Sequence, residues 1–220
     1  MKRLRIVTEG GTEETFVNEI LRPYLFEKQI FDVAGLRIQT SQGHKGGFVN
    51  YQHLKNDVNR ILKESNVVVS TFVDFFRIPT SMPEYELTTQ AIKADQKIEI
   101  LENGLTKDIN HPNFIPYIQK FEFEALLFSN NQGFSRMYNE PSIAHATQAI
   151  IDQYNNPEEI NNHPNTAPSK RIQKILAEHG MNYNKIFEGN LIALEIGIHT
   201  ILEKCPRFRA WIEKLIAACQ

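Results

Sequence analysis

The segment VVVSTFVDFF, residues 67–76, limits the fold more than any other part of the chain. It is almost continuously apolar and rich in β-branched and aromatic residues, which is typical of a parallel strand buried on both faces. Shorter strand-like segments occur on both sides of it in the sequence, and helical patterns separate them. We therefore predict an α/β fold with a mostly parallel, four-stranded sheet flanked by helices.

The other three predicted strands are shorter, and Pro116 favours an edge position for the last of them. They cover residues 4–8, 33–40 and 113–121. Helices are predicted between the strands, and Thr12 is the expected N-cap of the first. A second helical pattern covers residues 51–62, and a third covers residues 87–101 and ends near Gly104.

After residue 130 the pattern becomes helical. Apolar residues recur at helical spacing over residues 141–153, 169–178 and 191–218, and a polar loop rich in asparagine and proline covers residues 154–168. We expect residues 1–130 to form the α/β core. Residues 131–220 are expected to be a helical C-terminal extension packed on that core.

Composition narrows the functional classes. Hydrophobic residues make up 41% of the 220 residues and charged residues 23%, as in an ordinary globular protein. The net charge of −2 argues against passive coating of DNA, but it is compatible with an acidic site that holds metal ions. Two cysteines fit a reducing cytoplasm, and no stretch approaches the roughly 20 apolar residues of a membrane helix. These features predict a soluble cytoplasmic protein that does not enter a membrane.

Four acids follow predicted strands. Glu9 ends the first strand, Asp74 lies at the end of the third, and Glu122 and Glu124 follow the fourth. The carboxyl ends of parallel strands lie at one edge of a sheet, where ligands bind. Clustered carboxylates suit Mg²⁺ or Mn²⁺, and such ions assist phosphoryl chemistry. The alternative for any single acid is an exposed residue or a helix cap, and Glu124 fits the first turn of a helix.

Three cations are candidates for binding phosphate or a nucleic-acid backbone. Lys45 belongs to the glycine-rich loop of residues 41–48, for which a flexible surface turn is the alternative. Arg77 follows Asp74 closely, and a structural ion pair is its alternative role. Lys170 lies where a helix is predicted to begin, and a helix N-terminus with basic residues can bind phosphate. The alternative is that this segment only starts the helix, with Ser169 as its cap.

The stretch IVTEGGTEETF resembles the first motif of the Toprim family, whose Rossmann-like domain has the same order of strands and acids over about the first 130 residues. A further resemblance spans nearly the whole chain. It joins the chain to a bacterial Toprim-like family of unknown function, often encoded beside AAA or ABC-like ATPases in phage-defence operons, and more distantly to the overcoming-lysogenization-defect nucleases. It rests on EGGTEETF, VDFFRIPTSMP, KFEFEALLFS, TAPSKRI and LEIGIHTILEKCPRFRAWIEKL.

This resemblance implies roles for individual residues. Glu9 corresponds to the Toprim glutamate, a general acid/base or metal-associated acid, and Asp74 to the first aspartate of an Asp-x-Asp metal motif. Phe76 stands where the second aspartate belongs. Glu122 and Glu124 are then expected to supply the missing carboxylate. If they do not, the site binds a single metal ion, or binds no metal in a way that supports catalysis.

Two functions are therefore considered. The first is a Mg²⁺- or Mn²⁺-dependent nuclease for DNA or RNA, acting in anti-phage defence with an ATPase partner. The alternative is a non-catalytic Toprim-like module that binds an ATPase partner or nucleic acid. Self-association into a homo-oligomer is left open.

Overall fold

The computed structural model describes residues 2–41, 44, 45, 48, 50–161, 163 and 165–220, and it describes no side chain at positions 40, 41, 44 and 45. The chain forms two compact units. The first contains Met1–Lys120 and Trp211–Gln220, and the second contains Phe121–Ala210. The chain thus passes between units at Lys120, earlier than the border expected after residue 130. The last residues of the chain belong to the first unit.

The first unit is built on a parallel sheet of order β2-β1-β5-β6, with β7 also paired to β5. Two further short strands, β3 and β4, pair antiparallel. The α/β fold class with a mostly parallel sheet is thus confirmed. The strands are β1 (Arg3–Thr8), β2 (Val33–Arg37), β3 (Gln39–Ser41), β4 (His44–Lys45), β5 (Val67–Asp74), β6 (Phe114–Ile115) and β7 (Ile118–Gln119).

The central strand β5 is buried along its whole length, as its apolar sequence predicts. Val67, Val69 and Val73 belong to the apolar core on one side of the sheet, which also contains residues of the helices that follow β4 and β5. Phe72 belongs to the opposite side, where its ring lies 5.3 Å from that of Trp211. Two-sided burial explains why the strand has no polar alternation.

The predicted strand over residues 113–121 is two short strands, β6 and β7, and this prediction was wrong in its continuity. Pro116 separates them because proline has no backbone N–H to donate to a ladder. Between the two strands, the side chain of Thr71 takes the place of a backbone partner for Tyr117. Its hydroxyl donates to the carbonyl of Tyr117 at 2.9 Å and accepts from the N–H of Tyr117 at 2.8 Å.

The first helix begins earlier than predicted. Its N-cap is Gly10 rather than Thr12, and the Glu13 carboxylate accepts a hydrogen bond from the Gly10 N–H at 2.9 Å. Glu13 reaches back to the N–H of the cap residue, which is the glutamate half of a capping box. The helices of this unit are α1 (Gly11–Phe16), a π-helical turn (Val17–Leu21), α2 (Arg22–Glu27), α3 (Tyr51–Leu62), a 3₁₀ turn (Tyr85–Gln90) and α4 (Ala94–Ile109).

The helix predicted over residues 87–101 with an end near Gly104 is a 3₁₀ turn followed by α4, which ends at Ile109 and is capped by Asn110 with φ of 48°. Gly104 has a packing role instead. A Cβ at this position would lie 2.7 Å from the carbonyl oxygen of Pro83, so only glycine allows this approach. Gly104 therefore indicates a close backbone contact within the helix and not the end of the helix.

The second unit is helical. The pattern predicted as helical over residues 191–218 is helical in the structure, but Gly197 with φ of 81° and Pro206 divide it among three successive helices. None of the helices in the described part of the chain combines the length and apolar composition that a membrane span requires. The helices are a 3₁₀ turn (Phe123–Ser129), α5 (Gln132–Met137), α6 (Pro141–Ile151), a 3₁₀ turn (Pro157–Glu159), α7 (Pro168–Ala177), α8 (Lys185–Ile196), α9 (Ile198–Lys204) and α10 (Pro206–Cys219). The last of these contributes to both units.

Candidate active site

Glu9 directly follows β1 and is half-buried. Its N–H donates to the carbonyl of Phe72 at 3.2 Å, which extends the β1–β5 ladder by one bond. One of its carboxylate oxygens accepts a hydrogen bond from the backbone N–H of Asp74, also at 3.2 Å. The side chain therefore points across to the end of the neighbouring strand rather than back over its own helix.

Asp74 is the last residue of β5 and only 9% exposed. Since β1 and β5 are adjacent and parallel, their carboxyl ends place Glu9 and Asp74 side by side. The structure thus brings together two of the four acids at the edge where sequence reasoning placed them. Two acids at neighbouring strand ends favour a cation beside them.

Glu122 belongs to the second unit, where it serves a helix end. Its two carboxylate oxygens accept bonds from the N–H of Ser169 at 2.9 Å and from its hydroxyl at 3.0 Å. Ser169 lies in the first turn of α7, whose N-cap is Ala167. Ser169 is therefore not the cap itself, because the acid that satisfies this helix end comes from elsewhere in the chain.

Glu124 also lies in the second unit and is 1% exposed. The ammonium group of Lys185 is 2.9 Å from its Oε1, an ion-pair distance. Burial and the charge of Glu124 together raise the pKa of Tyr183 well above its usual value. The acid pair of the KFEFE stretch is thus engaged by Ser169 and Lys185.

Arg77 is exposed and lies three positions beyond Asp74 in the sequence. Its guanidinium group is 5.1 Å from the centre of the Phe76 ring, a cation–π contact. Its φ of 61° is rare for a residue with a side chain. The ring of Phe76 therefore supports a cation in this structure.

The other two predicted cations are Lys45 and Lys170. Lys45 is in β4, but its side chain lies outside the described residues, as do positions 42, 43, 46 and 47 of the glycine-rich loop. Lys170 is in the first turn of α7, half-buried, and its ammonium group donates to the side-chain oxygen of Gln173 at 2.9 Å. Neither can be assigned to the Glu9–Asp74 pair.

Sequence reasoning missed Lys120. It directly follows Gln119, which pairs with Asp74 in the β5–β7 register, so it lies at the same edge of the sheet as the two acids. It is 3% exposed, and its ammonium group is 2.8 Å from Asp95. The signal was a lysine following a strand, in the same place as the acids, within the stretch YIQKFEFE.

Across the residues that the structure describes, no three His, Cys, Asp or Glu side chains are grouped in a way that could hold a metal ion. The site is thus a two-carboxylate edge of a parallel sheet, with a buried lysine and a strained arginine following the same strand ends. The fold and this edge define an α/β protein with an acidic pair at the carboxyl ends of adjacent central strands.

The chain belongs to the family described as "Domain of unknown function (DUF4276)", whose model matches residues 8–216. Among solved structures it is similar to the "C-terminal region of the Xanthomonas campestris pv. campestris OLD protein phased with mercury". The similarity has 12% sequence identity and a TM-score of 0.46, and it covers 100% of this chain and 95% of that one. A search of curated proteins found no match.

Proposed function

We propose that this protein is a metal-dependent nuclease that hydrolyses phosphodiester bonds of DNA or RNA. The observation that carries the proposal is the hydrogen bond of 3.2 Å between the Glu9 carboxylate and the Asp74 N–H, at the carboxyl ends of two central parallel strands. The Toprim resemblance of the same two residues supports it. The separate resemblance that spans nearly the whole chain supports a role in anti-phage defence with an ATPase partner.

The residues at this edge fit one Mg²⁺ or Mn²⁺ ion. Mg²⁺ keeps several waters and is commonly bound by one or two carboxylates together with substrate phosphates, which is what Glu9 and Asp74 offer. Phe76 cannot coordinate a metal, and both oxygens of Glu122 accept bonds from Ser169. When bound, the ion would polarise the phosphate and stabilise negative charge that develops on its oxygens.

The chain's own groups would have separate tasks. Glu9, whose carboxylate accepts a hydrogen bond from the Asp74 N–H, would hold or accept the proton of the attacking water. The exposed guanidinium group of Arg77 can donate two parallel hydrogen bonds to a phosphate group. Lys120, paired with Asp95, would contribute positive charge near the strand ends.

Purified Glu9→Gln and Asp74→Asn variants test this function. With single- and double-stranded DNA and RNA and either ion, we expect cleavage by the wild type and a loss of about 100-fold or more in each variant. Glu99→Gln, at an exposed position of α4, is the control with the same change of charge and should cleave like the wild type. Circular dichroism would verify folding. Undiminished cleavage by both site variants would refute the assignment.

A second function rests on Phe76. With no acid at that position, and with Glu122 and Glu124 engaged by Ser169 and Lys185, the chain would instead be a non-catalytic module that binds an ATPase partner or nucleic acid. This alternative predicts no cleavage with any divalent ion. It also predicts a stable complex with the neighbouring ATPase after co-expression, visible by size-exclusion chromatography. Turnover by the isolated wild type would exclude it.

A further inference from the structure

A cavity of about 270 Å³ lies beside α7 in the second unit. Three cations line it, Lys170, Arg171 and Lys174, against one acid, Glu178. Because the whole chain has a net charge of −2, this local excess of positive charge is not a consequence of composition. Lys170 and Lys174 are one helical turn apart and therefore lie on one face of α7.

Arg171 is held in place within this cavity. Its Nε donates to the carbonyl of Thr166 at 2.8 Å, and a terminal nitrogen donates to the hydroxyl of Tyr154 at 3.2 Å. The guanidinium group also lies 5.6 Å from the centre of the Tyr154 ring. A cation fixed in this way loses little conformational entropy when it binds an anion, and the planar group keeps further N–H donors.

The rest of the lining includes an apolar part. Ala146 and Ile150 of α6 and Ile175 of α7 contribute to it. Binding of inorganic phosphate or sulfate would require only the three cations of the cavity. An apolar surface next to them suits a ligand that joins an anionic group to a flat, weakly polar one. The volume lies near the lower limit of about 300 Å³ for small-molecule pockets, which favours a single unit over a larger ligand.

We propose that this cavity binds one nucleotide, with its phosphate against Lys170, Arg171 and Lys174 and its base against the apolar side chains. The nucleotide is either free or part of a single strand, since both present the same chemistry. The proposal uses only residues of the second unit. It goes beyond the nuclease function and does not depend on Glu9 or Asp74.

Calorimetric titration of the full chain with adenosine monophosphate tests the site at low salt. We expect saturable binding by the wild type and about tenfold weaker binding by Lys174→Gln, the typical effect of losing one charge-assisted hydrogen bond. Lys63→Gln, an exposed lysine of the first unit, removes the same charge and should bind like the wild type. Equal affinities of the wild type and Lys174→Gln, or no binding by the wild type, would overturn the proposal.

Ala146→Leu separates recognition of the base from that of the phosphate, because the larger side chain fills the apolar part of the cavity. We expect weaker binding of adenosine monophosphate and unchanged binding of inorganic phosphate. If adenosine monophosphate binds Ala146→Leu as well as the wild type, the cavity does not hold a base and the assignment fails.

A fluorescein-labelled single-stranded oligonucleotide, titrated in parallel, identifies the source of the nucleotide. Tighter binding than that of adenosine monophosphate, lost in Lys174→Gln, indicates a strand, and weaker binding indicates the free nucleotide. Glu9→Gln should retain the wild-type affinity for adenosine monophosphate whatever its effect on cleavage. Failure of the nuclease assignment and failure of this site are therefore distinguishable.

Discussion

Arg77 has an exposed charged side chain and a left-handed backbone conformation, which is uncommon for a residue other than glycine. For residues with a Cβ this conformation costs roughly 1–2 kcal/mol relative to the right-handed one. It occurs three positions after Asp74, at the edge of the sheet where the acidic pair lies. Strain at such a position is more often found at functional sites than elsewhere, which supports the phosphate-binding role proposed for the guanidinium group.

The backbone strain at Arg77 can be measured by comparing Arg77→Gly with Arg77→Ala. Both variants lose the guanidinium group, so the difference between them reports on the backbone alone. We expect Arg77→Gly to have the higher free energy of unfolding by about 1 kcal/mol, since glycine adopts positive φ without steric cost. Urea denaturation followed by circular dichroism gives both values. A more stable Arg77→Ala would show that the conformation is not strained.

Asp108 is expected to make stability depend on pH. Burial alone would raise its pKa, but hydrogen bonds from Lys55, whose ammonium group is 2.8 Å away, and from the Tyr51 hydroxyl outweigh burial and lower it. A lowered pKa in the folded state contributes stability above the unfolded value of about 3.9. That contribution is lost as the pH falls through the folded pKa.

Asp108→Asn tests this dependence. At pH 7 the variant should be less stable than the wild type by at most about 1 kcal/mol, because the group is partly exposed to solvent. At pH 3 the difference between the two proteins should be smaller. Urea denaturation at both pH values provides the measurement, with Asp152→Asn as a control at an exposed position. A difference that does not change with pH would show that the carboxylate is not stabilised by its partners.

At the scale of elements, buried acids at helix starts are a recurring feature of the second unit. Glu122 accepts two bonds from Ser169 in the first turn of α7. Glu158, with no exposed surface, accepts bonds from the N–H groups of Arg207 at 2.9 Å and Phe208 at 3.0 Å, at the start of α10. The N–H groups of a first helical turn have no partner within the helix, and a carboxylate also matches the positive end of the helix dipole.

Replacing Glu158 by glutamine should destabilise the protein by about 1–3 kcal/mol, because one backbone N–H then faces an amide donor in a buried place. Glu159→Gln changes the same charge at an exposed neighbouring position and should alter stability by less than about 0.5 kcal/mol. The stabilities of the two variants are compared through their urea unfolding midpoints, measured by circular dichroism. Equal midpoints for the two variants would contradict the capping role.

Elements that depend on local pattern could be predicted from the sequence, and those that depend on distant partners could not. The apolar run of β5 and the acids that end β1 and β5 were predictable because neighbouring residues determine both. The partner of Glu122 was not, since Ser169 is 47 positions away in the sequence. The break at Gly197 was missed because the apolar periodicity continues through it.

The same distinction between local and distant determinants applies to the residues of the acidic site. Its strand order placed Glu9 beside Asp74, but nothing local indicated that Glu124 would pair with Lys185. Lys120 was overlooked because a lysine after a strand is common in the sequence, and only the register of β7 with β5 gives it a place at the site.

At the scale of the whole molecule, each unit contains one of the two cysteines. Cys205 lies in the second unit and Cys219 in the first, and both thiols are free and buried. Burial raises the pKa of Cys219 to about 11 and that of Cys205 further. Since the thiolate is the reactive form, neither side chain should react in the native protein. The two cysteines are therefore separate reporters of the opening of each unit.

We expect the two units to unfold together because α10 contributes to both. Glu158 of the second unit caps the start of this helix, while Trp211 in the same helix donates a hydrogen bond of 2.9 Å to Ser70 in the first unit. Loss of the cap would destabilise a helix whose later residues complete the other core. Pulses of iodoacetamide at increasing urea, followed by mass spectrometry of the two cysteine peptides, should give the same urea midpoint for both thiols. If Cys205 became reactive at distinctly lower urea than Cys219, the second unit would unfold independently and α10 would not couple the two.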